Sequence, residues 1–162
     1  MSQFQIPENI LDDIDCSGLR VGIVAARFNA PITNALVEGA MVCLDNHCVV
    51  KPRVYQVPGA FELPFAAKKL AIDDRYDAII AFGAVIRGGT PHFDYVCHAA
   101  TQGILDASLE TLVPIIFGIL TVDNEQQALE RVNPKKGHKG YEAALSAIEM
   151  AHFSTRLTGD LD

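Results

Sequence analysis

Residues 76–96 read "YDAIIAFGAVIRGGTPHFDYV". A nearly unbroken apolar run over 76–86 passes into Arg87, Gly88, Gly89, Thr90 and Pro91, and a helical pattern opens at His92. A short run that is apolar on both faces suits a strand buried in a parallel sheet. The polar, glycine-rich bend then turns that strand into a helix. Strand, bend, helix is the unit of an α/β fold, and the rest of the chain repeats it.

Upstream, "LRVGIVAAR" (19–27) predicts a first strand, followed by a helix over 31–47 with Pro31 in its first turn. Ile32, Leu36, Gly39, Ala40, Cys43 and His47 recur there at helical spacing. "RVYQV" (53–57) predicts the second strand and "AFELPFAAKKLA" (60–71) the second helix, in which Pro64 either lies in the first turn or makes a kink. Downstream, the third helix covers 92–111 and "VPIIFGILT" (113–121) the fourth strand. An Asp-x-x-Gln pattern from Asp123 is expected to cap a fourth helix in "DNEQQALERV", and "YEAALSAIEMAHFSTRL" (141–157) supplies the last. The order predicts a three-layer α/β/α domain of flavodoxin-like type around a four-stranded parallel sheet. A single domain is expected over 1–162, with its core in 19–157. Segment 1–18 is either a loose terminus or, through Phe4 and Ile6 on one face of "SQFQIP", a strand added to a sheet edge of a neighbouring subunit.

Composition excludes several classes. A formal charge of −7 opposes nucleic-acid binding through a general basic surface. No apolar stretch approaches the ~20 residues of a membrane helix, and no signal peptide is expected at the N-terminus. The four cysteines form no CxxC pair and suit a cytoplasmic protein with reduced thiols. Cys43, His47 and Cys48 fit zinc spacings poorly, and Cys43 reads as a core thiol; no metal is expected. A G-x-S-x-G elbow, a Walker loop and an H-E-x-x-H motif are all missing.

Ligands of open parallel sheets sit beyond the carboxyl ends of the strands. Those ends carry Phe28, then "VPGAFE" with Phe61 and Glu62, then the bend at 87–91, then Asp123 and Asn124. Gly88, Gly89 and Thr90 before a helix start suit an anion held by main-chain N–H groups and a hydroxyl. His92, in the first helical turn, suits a ring that takes and returns a proton, although taken alone it reads equally as a helix-capping or solvated histidine. Phe28 and Phe61 suit a flat heterocycle, although core packing would employ either equally well. Arg131 reads first as a cation at a helix C-terminus, and the run Lys135, Lys136, His138, Lys139 as a solvated loop or a phosphate contact of a neighbouring chain.

The ordered set "ARFN", "VPGAFELP", "GAVIRGGTPHFDYV", "PIIFGILTVDNEQQALERV" and "HKGYEAALSAIEM" across 19–153 closely resembles the lumazine synthase family. The resemblance implies condensation of 5-amino-6-(D-ribitylamino)uracil with 3,4-dihydroxy-2-butanone 4-phosphate, without a cofactor, in riboflavin biosynthesis. It implies that Phe28 stacks on the pyrimidine and that Ala60, Phe61 and Glu62 line the ribityl and ring contacts. Ala84, Val85 and Ile86 would offer main-chain groups to the uracil edge. Gly89 and Thr90 would hold the phosphate with Arg131, and His92 would transfer protons. Phe117 and Arg131 would come from an adjacent subunit of a pentamer, which in some members builds an icosahedral 60-chain shell. Riboflavin synthase is the macromolecular partner the resemblance suggests. His138 departs from the asparagine common before the Lys-Gly pair. A flavin- or lumazine-binding module or shell protein without turnover is the competing reading, and it leaves His92 without a task.

Overall fold

The computed structural model describes residues 11–159. Four strands, β1 (Val21–Ala26), β2 (Arg53–Val57), β3 (Ala78–Ile86) and β4 (Ile115–Val122), form one parallel sheet in the order β2-β1-β3-β4. Between and after them run α1 (Ala30–Asn46), α2 (Leu63–Ile72), α3 (His92–Thr111), α4 (Glu125–Arg131) and α5 (Lys139–Gly159). This is the flavodoxin-like arrangement the strand–helix alternation predicts.

The period of two along β1 and β3 sorts their side chains into two cores. Val21, Ile23 and Ala25 point to one layer together with Ala78, Ile80, Phe82 and Ala84. Val24, Ala26, Ile79 and Ala81 point to the other. The first layer is closed by Leu36, Ala40 and Leu44 of α1 and by Ala144, Ala147, Ile148 and Ala151 of α5. The second is closed by Leu63, Ala67 and Ala71 of α2 and by Ala100, Ile104 and Ala107 of α3. These buried positions recur every three or four residues, one stripe per helix. Most are alanine, so the helices lie close to the sheet.

Sheet growth reverses between β1 and β3. The β1–α1–β2 unit builds outward on one side, and the chain then crosses to β3 on the other. A crevice therefore opens beyond the carboxyl ends of this pair.

Several boundaries depart from the sequence reading. Residues 60–71 are not one helix: Ala60–Glu62 form a 3₁₀ turn before α2, because the chain must leave β2 through Pro58 and Gly59. The fourth strand begins at Ile115 rather than 113, and α5 begins two residues early, at Lys139. The expected Asp-x-x-Gln cap is shifted by one. Asn124 accepts from the Gln127 N–H at 3.0 Å, while the Gln127 carboxamide accepts from the Asp123 N–H at 2.8 Å. Phe4 and Ile6 lie outside the described residues. Residues 11–18 do not fray, since Leu11 and Cys16 are buried against the α1/α5 layer.

Among the described residues Phe82 is the largest fully buried side chain, and it rests on Gly118 of the neighbouring strand. A Cβ at Gly118 would lie 2.5 Å from the Phe82 ring and 2.9 Å from the Ala81 carbonyl oxygen. Gly118→Ala is expected to destabilise by about 1–3 kcal/mol, the usual cost of overpacking. Gly88→Ala, where nothing lies within 4 Å, should be nearly neutral. Urea midpoints of the two variants check the contrast.

Candidate active site

The crevice is built by unequal strand pairing. β3 pairs with β1 only as far as Ala25↔Phe82, but with β4 through Ile86↔Val122. Residues 83–86 therefore lack a strand partner on the β1 side. Main-chain direction alternates along a strand, and the Arg87 N–H points to β4, donating to the Val122 carbonyl at 2.9 Å. Ala84 and Ile86 accordingly turn their main-chain groups toward the open notch, and Val85 turns toward β4, in register with Thr121.

Asn29 reaches into that notch. Its Nδ2 donates to the Ala84 carbonyl at 2.7 Å from a left-handed backbone (φ 56°), a conformation asparagine tolerates. The staple fixes the turn carrying Phe28. The Arg27 and Phe28 N–H groups donate to the Val57 and Pro58 carbonyls at 2.8 and 3.1 Å, which brings Phe28 beside the Gly59–Glu62 turn. There the Glu62 Oε2 accepts from the Gly59 N–H at 2.9 Å, so one carboxylate oxygen closes the turn. Ala60 is buried beneath it, while Phe28 and Phe61 stand 71 and 62 % exposed.

Arg87 answers why the bend after β3 spends an arginine. Its Nε donates to Asp123 Oδ1 at 2.9 Å and its Nη1 to Asp94 Oδ1 at 3.3 Å. Its guanidinium carbon sits 4.2 Å from the centroid of the Phe93 ring. One side chain thus ties the bend to the β4–α4 loop and to the first turn of α3, and it faces those anchors rather than an incoming anion. Gly88 and Gly89 have nothing within 4 Å of where a Cβ would be, so the space beside the bend is open. α3 starts behind Pro91 with no side-chain cap, and His92, its first residue, is exposed.

Phe28, the 60–62 turn, residues 84–86, Gly89, Thr90 and His92 therefore share one end of the sheet. Phe117 and Arg131 do not join them in the same chain. Phe117 is paired with Ala81 in mid-strand on the open edge of β4, about 16 Å of strand below the mouth. Arg131 ends α4, roughly 10 Å of helix away from the mouth, and donates to the Gln127 carbonyl of its own last turn at 2.8 Å. The sequence reading missed two positioning residues. Arg87 left a signal, a cation among glycines flanked by Asp94 and Asp123; Asn29 left only its tolerance of positive φ.

The sequence profile of 6,7-dimethyl-8-ribityllumazine synthase matches residues 18–155. A curated 6,7-dimethyl-8-ribityllumazine synthase of Chlorobium chlorochromatii (strain CaD3) is 48 % identical over 148 residues, covering 90 % of this chain and 96 % of the relative. The chain belongs to the lumazine synthase family. The matched region runs from just before β1 into α5, so it contains the notch, the bend and both β4 and α4. Among the described residues no helix is long and apolar enough to cross a membrane.

Exposed ion pairs contribute little to global stability, ~0.2–1 kcal/mol each, and the Arg87 pairs are exposed. Arg87→Ala should leave the thermal midpoint nearly unchanged. It should nonetheless speed amide exchange at residues 88–94 relative to β3, because those pairs hold the bend. Hydrogen-exchange mass spectrometry reads the difference.

Proposed function

We propose that this chain condenses 5-amino-6-(D-ribitylamino)uracil with 3,4-dihydroxy-2-butanone 4-phosphate to 6,7-dimethyl-8-ribityllumazine, at sites each shared by two chains. The family is one of riboflavin biosynthesis and its named relative is a lumazine synthase. One observation carries the reading: the aromatic pair, the open main chain of 84–86, the glycine bend and His92 meet at the β1/β3 switch point.

The residues take the following parts. Phe28 stacks on the pyrimidine, and the Ala60–Glu62 turn supports the ring and the ribityl chain. Ala84, Val85 and Ile86 line the notch, where the main-chain groups of Ile86 are the ones directed at the uracil edge. Gly89 and Thr90 hold the phosphate at the uncapped start of α3. The substrate amine attacks the ketone, water leaves to give a Schiff base, and phosphate is eliminated. Ring closure and a second loss of water then complete the lumazine. Most of this chemistry needs orientation, worth ~7–11 kcal/mol in favourable cases. His92 carries protons between the amine, the carbinol oxygen and the enol.

The neighbour supplies Phe117 and Arg131. Their separation from the mouth of their own chain supports this, as does the unpaired edge of β4, which packs against α3 with its exposed Leu105 and Leu109. A pentamer is the assembly unit that we infer from the family, with a closed shell as the further possibility and riboflavin synthase as a candidate partner.

Mixing the two substrates with the protein should give lumazine fluorescence; stoichiometric binding without product would instead support a carrier. His92→Ala should slow turnover by about 10²–10⁴-fold, the usual scale of acid–base catalysis. Arg131→Ala should chiefly raise the KM for the butanone phosphate. Co-assembled His92→Ala and Arg131→Ala chains should regain activity, because some sites then pair an intact His92 with a neighbour's intact Arg131. No recovery on mixing would refute the two-chain site.

A further inference from the structure

His138 is absent from the functional roles above, yet it is the hinge pin between α1 and α5. It stands immediately before α5, and its carbonyl accepts from the Glu142 N–H at 3.0 Å. Its Nδ1 accepts from the Gly140 N–H at 3.1 Å. That is the N-cap position, and the bond is the one that Ser, Thr, Asp or Asn makes there with a side-chain oxygen.

The half-buried ring sits against α1. A Cβ on Gly39 of α1 would lie 2.3 Å from both its Nδ1 and its Cε1, and a Cβ on Gly140 would lie 2.0 Å from the Leu36 carbonyl oxygen. The two helices cross main chain to main chain through these glycines, with the imidazole filling the slot beside them. An asparagine oxygen in this place accepts at any pH. An imidazole Nδ1 accepts only when it carries no proton, since both nitrogens of the cation are donors.

We propose that His138 is a proton-controlled cap: neutral, it anchors the start of α5 and the Arg131–Lys139 segment leading into it, and protonated, it lets go of both. The charges around the ring come from each element that packs on it. α1 contributes Glu38; α5 contributes Glu142 and Lys139, paired with each other at 2.6 Å. The preceding turn carries Lys135 and Lys136, the latter 3.7 Å from Glu130. Burial lowers the imidazole pKa below its ordinary 6.5, against the opposing pull of its own main chain and of the Glu142 and Glu38 carboxylates. The positive end of α5 opposes the cation as well. The sign follows. The unfolded chain binds the proton more readily than the folded one, so this contribution is complete above 6.5 and is lost as pH falls toward the folded value.

The test uses the full-length wild type, His138→Asn and His138→Ala, melted at about pH 7.5 and about pH 5.5, on either side of the ordinary histidine range. On acidification the wild type should lose at least about 2 °C more than His138→Asn, a shift corresponding to roughly a kcal/mol at this chain length. His138→Ala should sit low at both values. Parallel losses in wild type and His138→Asn overturn the proposal, as does an NMR titration placing the His138 imidazole at or above 6.5. The consequence for catalysis rests on the function proposed above. The KM for the butanone phosphate should rise on acidification more in wild type than in His138→Asn, a comparison that cancels titration of the phosphate itself. An equal rise in both removes the link to the site. No turnover at all would refute the enzymatic reading, while the melts and the titration still judge the cap.

Discussion

The structure depends on the failure of β1 to follow β3 to its end. Over residues 78–84 β3 is buried on both faces, and Ile79, Ile80 and Phe82 have no solvent exposure, so the strand cannot shift without opening both cores. Its last residues run past Phe82 with β4 on one side and no strand on the other. Polar main chain at the lip of a rigid core must find partners. Asn29 takes one carbonyl, and the substrate proposed above would meet the rest of the notch. A site on such a base holds its geometry because the packing beneath it does not yield.

Above that base the mouth is open. Phe28 and Phe61 expose most of their rings, which is far more than aromatic side chains show in a finished stacking site. Exposed apolar groups also stand on α2 and α3 (Phe65, Ile72, Tyr95, Leu105, Leu109) and on the free edge strand β4 (Phe117), as well as on α5. Both facts have the same remedy: a second chain laid against that edge covers the apolar groups and walls the mouth. In the assembly proposed above, the same contact would deliver Phe117 and Arg131, which a single chain holds at a distance from its own notch. Completion of the site and burial of the edge are then one event, so the proposed activity and the proposed assembly are linked through the same surface.

The layers were legible in the sequence because apolar period and strand–helix alternation carry them. The 76–86 run, Pro31, Pro64 and the opening of the helix at His92 all fall where sequence logic puts them. What escaped depends on three-dimensional neighbours. Asp123 and Asn124 are both cap-forming residue types on paper; in the fold Asp123 accepts from Arg87, and Asn124 makes the cap. Pro58 and Gly59 turn the start of the second helix into a 3₁₀ turn. The parts assigned to single residues of the site came from resemblance, since a glycine bend and two phenylalanines alone are compatible with ordinary packing. His138 was noticed as a departure, but its meaning lay in Gly39, ninety-nine positions earlier in the chain, whose missing Cβ makes the slot.

Helix starts tell the same story in another way. α4 and α5 begin with side-chain acceptors, Asn124 and His138, that occupy first-turn N–H groups. α1, α2 and α3 begin without side-chain caps, and all three begin at the carboxyl ends of β1, β2 and β3. The Asn29 amide, which stands at the cap position of α1, is spent on Ala84 instead. The positive ends of three helices therefore converge on one crevice in a chain of net charge −7. An acidic protein drawing a phosphorylated sugar needs its positive potential concentrated rather than spread. Main-chain dipoles supply it there at every pH, whereas side-chain cations such as Arg87 are already held by carboxylates. Uncapped starts are thus confined to that end of the sheet, although α4, which begins there too, is closed by Asn124.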